Sequence, residues 1–467
     1  MKLLVRRLSG CLLAGLFASA VYAQEAEPND TKVLEAVMQA VENNPEVLKQ
    51  WYEMRAVSSD VARARGAYGP QLDASTSYNY TKRDYSLNEE FSGNRVSLDY
   101  RQLLFDGFET SNLVERFQEL QLVRYYELKT VAENVGYAAF EAYLDVATNR
   151  ELVKLARDNV EKHRDVYEQI EESASAGVAR NADLEQINGR LALALNNLET
   201  QRSNLHDVIS RYLRIVGELP PQQTSNVVVS ETFLPAGTEE AMSLANRTNP
   251  ELHAALRNIR AERKQLTSNK RGAYSPKLSL VASQSYSELD DNGFDNHQND
   301  TQVGLQLRFN ILNGGRDYAE IRRTVSQVNS AEQQRNLVCR NINQTIQVEM
   351  NQIESLRDRI PQLRQHKLSS GKVRTAYKDQ FDLGQRSLLD VLDSENEYFE
   401  ASIALAEAET DLEQAKAKLL ASMGLLLNSL NIDSSKLNSN KDFEVPDLQV
   451  NLDFACPVKR VTTAYYE

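Results

Sequence analysis

The chain has 467 residues, with 53 basic against 66 acidic side chains and a formal charge of −13. So acidic a surface excludes nucleic acid as a partner, because polyanions repel. Three cysteines are too few for a disulfide framework, and the five histidines, His163, His206, His253, His297 and His366, lack metal-ligand spacing. No phosphate loop or nucleophile elbow occurs, so neither a metal, a cofactor nor an enzymatic activity is expected.

Residues 1–23 carry Lys2, Arg6 and Arg7, then an apolar run from Leu8 to Ala20, then Ala23 before Gln24. That order is a signal peptide. Its removal takes away three positive charges and no negative ones, moving the formal charge from −13 to −16. No later stretch reaches about 18 uninterrupted apolar residues, so no spanning helix is expected.

The mature chain repeats itself. Asn44, Pro45 and Glu46 return as Asn249, Pro250 and Glu251; Arg65, Gly66, Ala67, Tyr68 and Pro70 return as Arg271, Gly272, Ala273, Tyr274 and Pro276. Arg101 returns as Arg308, and Gly177, Asp183 and Gly217 return as Gly384, Asp390 and Gly424. The nearly constant offset marks a tandem duplication, with a first repeat over 24–217, a linker over 218–238, a second repeat over 239–424 and a tail over 425–467, part of it disordered.

Each repeat opens on a helix, 31–66 or 239–272, which restarts at an Asn cap followed by Pro. Pro70 and Pro276 then force extended chain, and strands follow at 71–81 and 94–104 and at 277–287 and 301–311. Their side chains alternate, as in Val303, Leu305, Leu307, Phe309 and Ile311 against Gln302, Gly304, Gln306, Arg308 and Asn310. A soluble sheet and a membrane barrel both satisfy that pattern, but a barrel turns the apolar face to lipid and keeps Arg101 and Arg308 towards a watery lumen. Strands of about 10 residues fit a tilted membrane span. Polar hairpin tips, and Tyr78, Tyr80, Tyr85 and Tyr286 near them in the manner of an aromatic girdle, favour the barrel.

Long helices over 108–174 and 315–382 follow, each on the order of 100 Å at about 1.5 Å per residue. Ile353, Leu356, Ile360 and Leu363 give the second one a coiled-coil seam, with a kink expected at Pro361. Gly177 and Gly384 turn the chain into returning helices over 178–217 and 385–424. Four strands cannot close a barrel, so the chain must assemble; three copies give twelve strands, whereas two give eight with little open lumen. A soluble periplasmic coiled-coil scaffold or adaptor is the rival reading, and it leaves the paired strands unexplained. Cys339 lies about 37 Å down its helix from Gly314, near mid-height, where a tail segment from Val445 to Cys456 would bring the two surviving cysteines together in an oxidising compartment.

The paired Asn-Pro-Glu restarts, the Tyr-x-Pro-x-Leu starts of the strands, Leu104-Phe105-Asp106-Gly107, Ile311-Leu312-Asn313-Gly314-Gly315 and Ser387-Leu388-Leu389-Asp390-Val391-Leu392-Asp393 together resemble the TolC family of outer-membrane efflux proteins, over Leu34 to Leu427. The resemblance implies a homotrimer with a 12-stranded membrane β-barrel and a 12-helix periplasmic tunnel, set in outer-membrane lipid. It also implies docking to a periplasmic adaptor protein and an inner-membrane transporter, and export of a protein or a small molecule. The lack of an N-terminal lipid signal leans towards type I protein secretion over multidrug efflux. The resemblance places Asp390 and Asp393 at the pore constriction, with Arg386 and Asp183 as gate-latch candidates. Phe381 stands where a hydrogen-bonding Tyr is sometimes found, and Phe108 replaces the second Gly usual at the first strand exit.

Overall fold

The computed structural model describes residues 28–84, 88–177, 180–224, 227–291, 294–432 and 456. The signal peptide, Tyr85 and the tail segments 433–455 and 457–467 lie outside the described residues. Helices α1 (Pro28–Asn43) and α2 (Pro45–Gly66) lead to strands β1 (Pro70–Asp84) and β2 (Asn88–Phe105), then to α3 (Glu109–Ser175) and the returning α4 (Asn181–Val216). The second repeat follows as α5 (Thr238–Thr248), α6 (Pro250–Tyr274), β3 (Lys277–Asp291), β4 (Phe294–Arg308), α7 (Arg316–Asp382) and α8 (Leu388–Met423), with a last short helix α9 (Leu426–Ser429). Among the described residues no helix is long and apolar enough to cross a membrane.

Each expected opening helix is two helices, because the chain breaks at Asn44 and Asn249, where Pro follows and the asparagine is extended. One side chain then serves two helix ends. The Asn249 Oδ1 accepts from the Leu252 N–H at 2.8 Å and caps α6, while its Nδ2 donates to the Ser422 carbonyl at 2.7 Å at the end of α8. Asn44 repeats the arrangement, accepting from the Glu46 N–H at 2.9 Å and donating to the Ile215 carbonyl at 2.9 Å at the end of α4. Helix ends carry unpaired donors and acceptors, and here each asparagine satisfies one of each.

The core sits at this height. Phe140, Tyr143 and Leu144 of α3 are buried with Val37 of α1, Met242 of α5, Leu252 of α6, Ile346 of α7 and Leu420 of α8. Gly136 lets α9 settle on α3, since a Cβ there would lie 2.7 Å from the Leu427 side chain. Buried Glu133 accepts from the Leu427 N–H at 3.3 Å, and burial pushes its carboxyl up to about 7. The folded chain therefore holds this proton more tightly than the unfolded one, and the site costs stability as pH rises from the ordinary Glu range through about 7. Cys339 and Cys456 are joined in a disulfide with Cα atoms 5.3 Å apart, both buried in this core, and the Cys456 N–H donates to Asn246 Oδ1 of α5.

The sheet is antiparallel in the order β1-β2-β3-β4, and the strands extend beyond the expected bounds towards the hairpin tips. At the other end β4 stops at Arg308, short of the expected residue 311, because β3 begins at Lys277 and pairs it with Arg308. The two strand exits have the same left-handed geometry, Gly107 and Phe108 at φ +69° and +70° and Gly314 and Gly315 at +69° and +81°. Phe108 thus keeps the turn at a cost of about 1–2 kcal/mol for a non-glycine residue there. Helices α3 and α7 have 67 residues each, and α7 continues through Pro361. Its seam residues Leu356 and Ile360 pack on Leu405 and Ala408 of α8. The returning helix α8 starts at Leu388 instead of 385, since Ser387 supplies the cap.

Asn249 is buried whereas Asn44 is half-buried. Asn249→Ala is expected to cost about 2 kcal/mol and Asn44→Ala about 1 kcal/mol, from a lost cap and a stranded carbonyl. Thermal unfolding followed by circular dichroism checks the order; equal losses would show that burial does not set the cost.

Candidate functional site: the sheet faces and the helical tip

The strand pairing sorts side chains onto two unlike faces. Leu72, Val96, Leu98, Val303, Leu305 and Leu307 share one face and are 45 to 71% exposed, with Tyr78, Tyr80 and Tyr286 on the same face nearer the hairpin tips. Among the described residues no helix of the protomer covers them. An apolar face of this size is left bare where the solvent is lipid. The opposite face holds Asp73, Ser75, Ser77, Ser97, Asp99 and Gln302, with Ser75 and Ser97 hydroxyls 2.9 Å apart. Arg101 and Arg308 fall on this polar face at the helix end of the sheet, where they line a cavity of about 230 Å³ with Gln71, Lys277, Ser279 and Gln306. Lys277 pairs with Glu109 at 2.5 Å.

The far end of the helical part is a tip formed by the α3–α4 and α7–α8 turns. Gly177 and Gly384 take φ near +75° there. Val166 and Ile170 of α3, Ile187 of α4 and Leu388 and Leu392 of α8 form an apolar cluster, with Phe381 packed against it. Phe381 therefore contributes apolar contact at the tip. Two polar links flank the cluster. Arg190 of α4 donates to Asp393 of α8 at 2.7 Å, and Lys378 of α7 donates at 2.9 Å to Gln169 of α3, which donates to Asp382 at 3.3 Å.

Asp390 and Asp393 stand one turn apart at the start of α8, as their spacing requires. Asp390 is the third residue of a capping box: the Ser387 Oγ donates to its carboxylate at 2.8 Å, and the Asp390 N–H donates back at 3.3 Å. That hydrogen bond, helped by Arg386, holds the Asp390 carboxyl below its ordinary value. Arg386 lies 3.7 Å from Asp390 and donates to Gln380 at 2.9 Å, while Asp183 pairs with Arg180 at 3.3 Å. Among the described residues neither Arg386 nor Asp183 bonds to the other coil. Arg190 does, and sequence spacing offered no signal for it, because its partner lies 203 positions away on the other repeat.

A lipid-like face, a polar face and paired coils occur together in one family of known proteins. The model of the outer membrane efflux protein family matches residues 36–211 and 241–425, one stretch in each repeat. The chain belongs to the outer membrane efflux protein family. It is 25% identical to the outer membrane efflux protein BepC of Brucella suis, over 88% of this chain and 89% of BepC. It is 22% identical to the alkaline protease secretion protein AprF of Pseudomonas aeruginosa, over 89% of each. The fold matches the CmeC outer membrane channel of Campylobacter jejuni with a TM-score of 0.74 at 14% identity, covering 85% of this chain and 86% of that one. As a TolC-type family member the protein is an outer-membrane transport channel and not an enzyme, its sheet in the membrane and its helices in the periplasm. The bare apolar sheet face is thereby a lipid face, and the soluble-scaffold reading falls.

The tip separates two sources of cohesion. An exposed ion pair contributes about 0–1 kcal/mol, whereas truncating a buried Leu costs about 2–5 kcal/mol. Leu392→Ala is therefore expected to destabilise the tip several-fold more than Arg190→Ala. Amide exchange of the α3–α4 and α7–α8 ends measures it; a larger effect of Arg190→Ala would make the ion pair the main clasp.

Proposed function

We propose that three copies of the chain form the exit duct of a type I protein secretion system, closing a 12-stranded barrel over a 12-helix tunnel. The duct would meet a periplasmic adaptor protein and an inner-membrane transporter. The observation that carries the assembly is the four-stranded sheet with two unpaired edges and one lipid face, since a membrane sheet has to close and four strands cannot. Secretion is supported by the likeness to AprF, a protease secretion protein, over 89% of each chain. The likeness to BepC, an efflux protein, supports small-molecule efflux as the second reading. Deleting the gene separates them: loss of a protein from the culture supernatant with unchanged drug resistance supports secretion, and drug sensitivity with an unchanged supernatant contradicts it.

In this reading the polar face with Arg101 and Arg308 lines the lumen, and Asp390 and Asp393 of three copies ring the narrow periplasmic end. Asp393 is largely neutralised by Arg190 at 2.7 Å, whereas Asp390 is 3.7 Å from Arg386, so Asp390 sets more of the local potential. Arg386 and Asp183, whose described partners lie within their own coils, would exchange them for partners on a neighbouring subunit when the tip closes. Carboxylates around a passage favour cations. Asp390→Asn keeps an acceptor for Ser387 and removes the charge, and it should lower the cation preference of planar-bilayer currents more than Asp393→Asn does. Unchanged selectivity in both variants would remove this pair from the constriction.

A further inference from the structure

The repeat carries a residue-level account of how one subunit joins the next, resting on the trimeric channel reading above. Equivalent residues differ by 206 on the first strand of each hairpin (Leu72 and Leu278, Tyr80 and Tyr286) and by 207 on the second (Val96 and Val303, Arg101 and Arg308). Under that shift the pairing Gln71↔Arg101 becomes Lys277↔Arg308, and Tyr80↔Ser92 becomes Tyr286↔Asn299; all four pairings are present. The two hairpins thus share one register. Within the chain they are joined by β2 and β3, through Arg101↔Val281, Leu98↔Gln284 and Val96↔Tyr286. The free edges are β1 and β4.

We infer that β4 of one subunit pairs with β1 of the next in the register of this internal seam moved on by one repeat. Arg308 then lies opposite Ser75 of the partner subunit, Leu305 opposite Tyr78 of the partner subunit and Val303 opposite Tyr80 of the partner subunit. The barrel is incomplete without that second copy.

An independent observation points to the same partner. β2 stays a strand to Phe105 because Leu103 and Phe105 pair with Ser279 and Leu278 of β3. Its equivalent β4 ends at Arg308, where β3 runs out, although the alternation of apolar and polar residues continues. Phe309, Ile311 and Leu312 are left 54, 88 and 85% exposed. The shifted seam supplies what is missing: Asn310 meets Asp73 of the partner subunit, Leu312 meets Leu72 of the partner subunit, and β4 lengthens to Leu312. Arg308, which has no carboxylate within ion-pair distance among the described residues, then lies diagonally across from Asp73 of the partner subunit, within reach of a long side chain. A bare strand edge ending in three exposed apolar residues is an aggregation hazard unless it is paired.

Cysteine cross-linking of the full-length protein in outer membranes tests the register, with the buried native disulfide left in place. Gln306→Cys with Ser77→Cys samples the polar face, and Leu305→Cys with Tyr78→Cys the apolar face. In an antiparallel ladder the non-hydrogen-bonded pairs all fall on one face, with Cα atoms about 4.5 Å apart, so one of the two matched pairs suits a disulfide. Oxidation should give covalent dimers and trimers from a matched pair at roughly tenfold the yield of Gln306→Cys with Ser75→Cys or Leu305→Cys with Thr76→Cys, which are displaced by two residues. Amides of Phe309 to Leu312 should exchange in the trimer as slowly as those of Gln102 to Phe105. Equal or greater yield from the displaced pairs, or free exchange of those amides, overturns the register while leaving the channel standing; a chain that stays monomeric overturns both.

Discussion

Six helix ends meet at one height in this chain, those of α1, α2, α4, α5, α6 and α8, and their unpaired backbone groups need partners there. Asn44 and Asn249 meet that constraint by accepting at the start of one helix and donating at the end of another, 171 and 173 positions away from the carbonyls they reach. Thr248 adds a bond to the Met423 carbonyl at 2.7 Å. Everything above and below is oriented from this belt: α2 and α6 rise from it to the strands, α4 and α8 end in it, and α3 and α7 pass through it. Because an unmade bond at a buried site costs about 1–3 kcal/mol while a formed one contributes about 1 kcal/mol net, the asparagines fix where helices break more than they add to stability.

The two repeats have diverged where their surroundings differ. The first keeps its strand-exit turn with Phe108 in a left-handed conformation that the second gives to Gly315. Phe108 packs edge-on against Phe105 at 5.8 Å, a contact that offsets part of the strain and lies beside the barrel base. The second repeat alone holds the disulfide, which ties the tail to α7 at the belt. At the tip the divergence produces complementarity, Arg190 from the first repeat meeting Asp393 from the second, so each protomer's coils are held to each other and not only to their own return helices.

Much of this was readable from the sequence because it is periodic. Period-two alternation places Arg101 and Arg308 on one face, the repeat locates both halves, and the stretch over 108–174, with Gly136 as its one glycine, gives a helix within a residue of the observed ends. Non-periodic features were not readable. The double role of the asparagines depends on carbonyls far along the chain, and Arg190 reads as one more solvated charge until α4 and α8 are seen side by side. The alternation runs on past the end of β4 because local pattern describes what a strand does with a partner, whereas β3 gives residues 309–311 none among the described residues. The cysteines could be put at the same height by counting residues along helices, while their Cα separation of 5.3 Å needed the folded chain.

The central claim is that this chain becomes a hollow duct only by assembling with copies of itself. Electron cryomicroscopy of the full-length protein extracted from outer membranes tests it directly. A self-assembled duct gives a threefold particle with twelve strands around an open lumen and twelve helices extending on the order of 100 Å beneath it. A solitary protomer, or an assembly with the apolar sheet face turned inward, would contradict it.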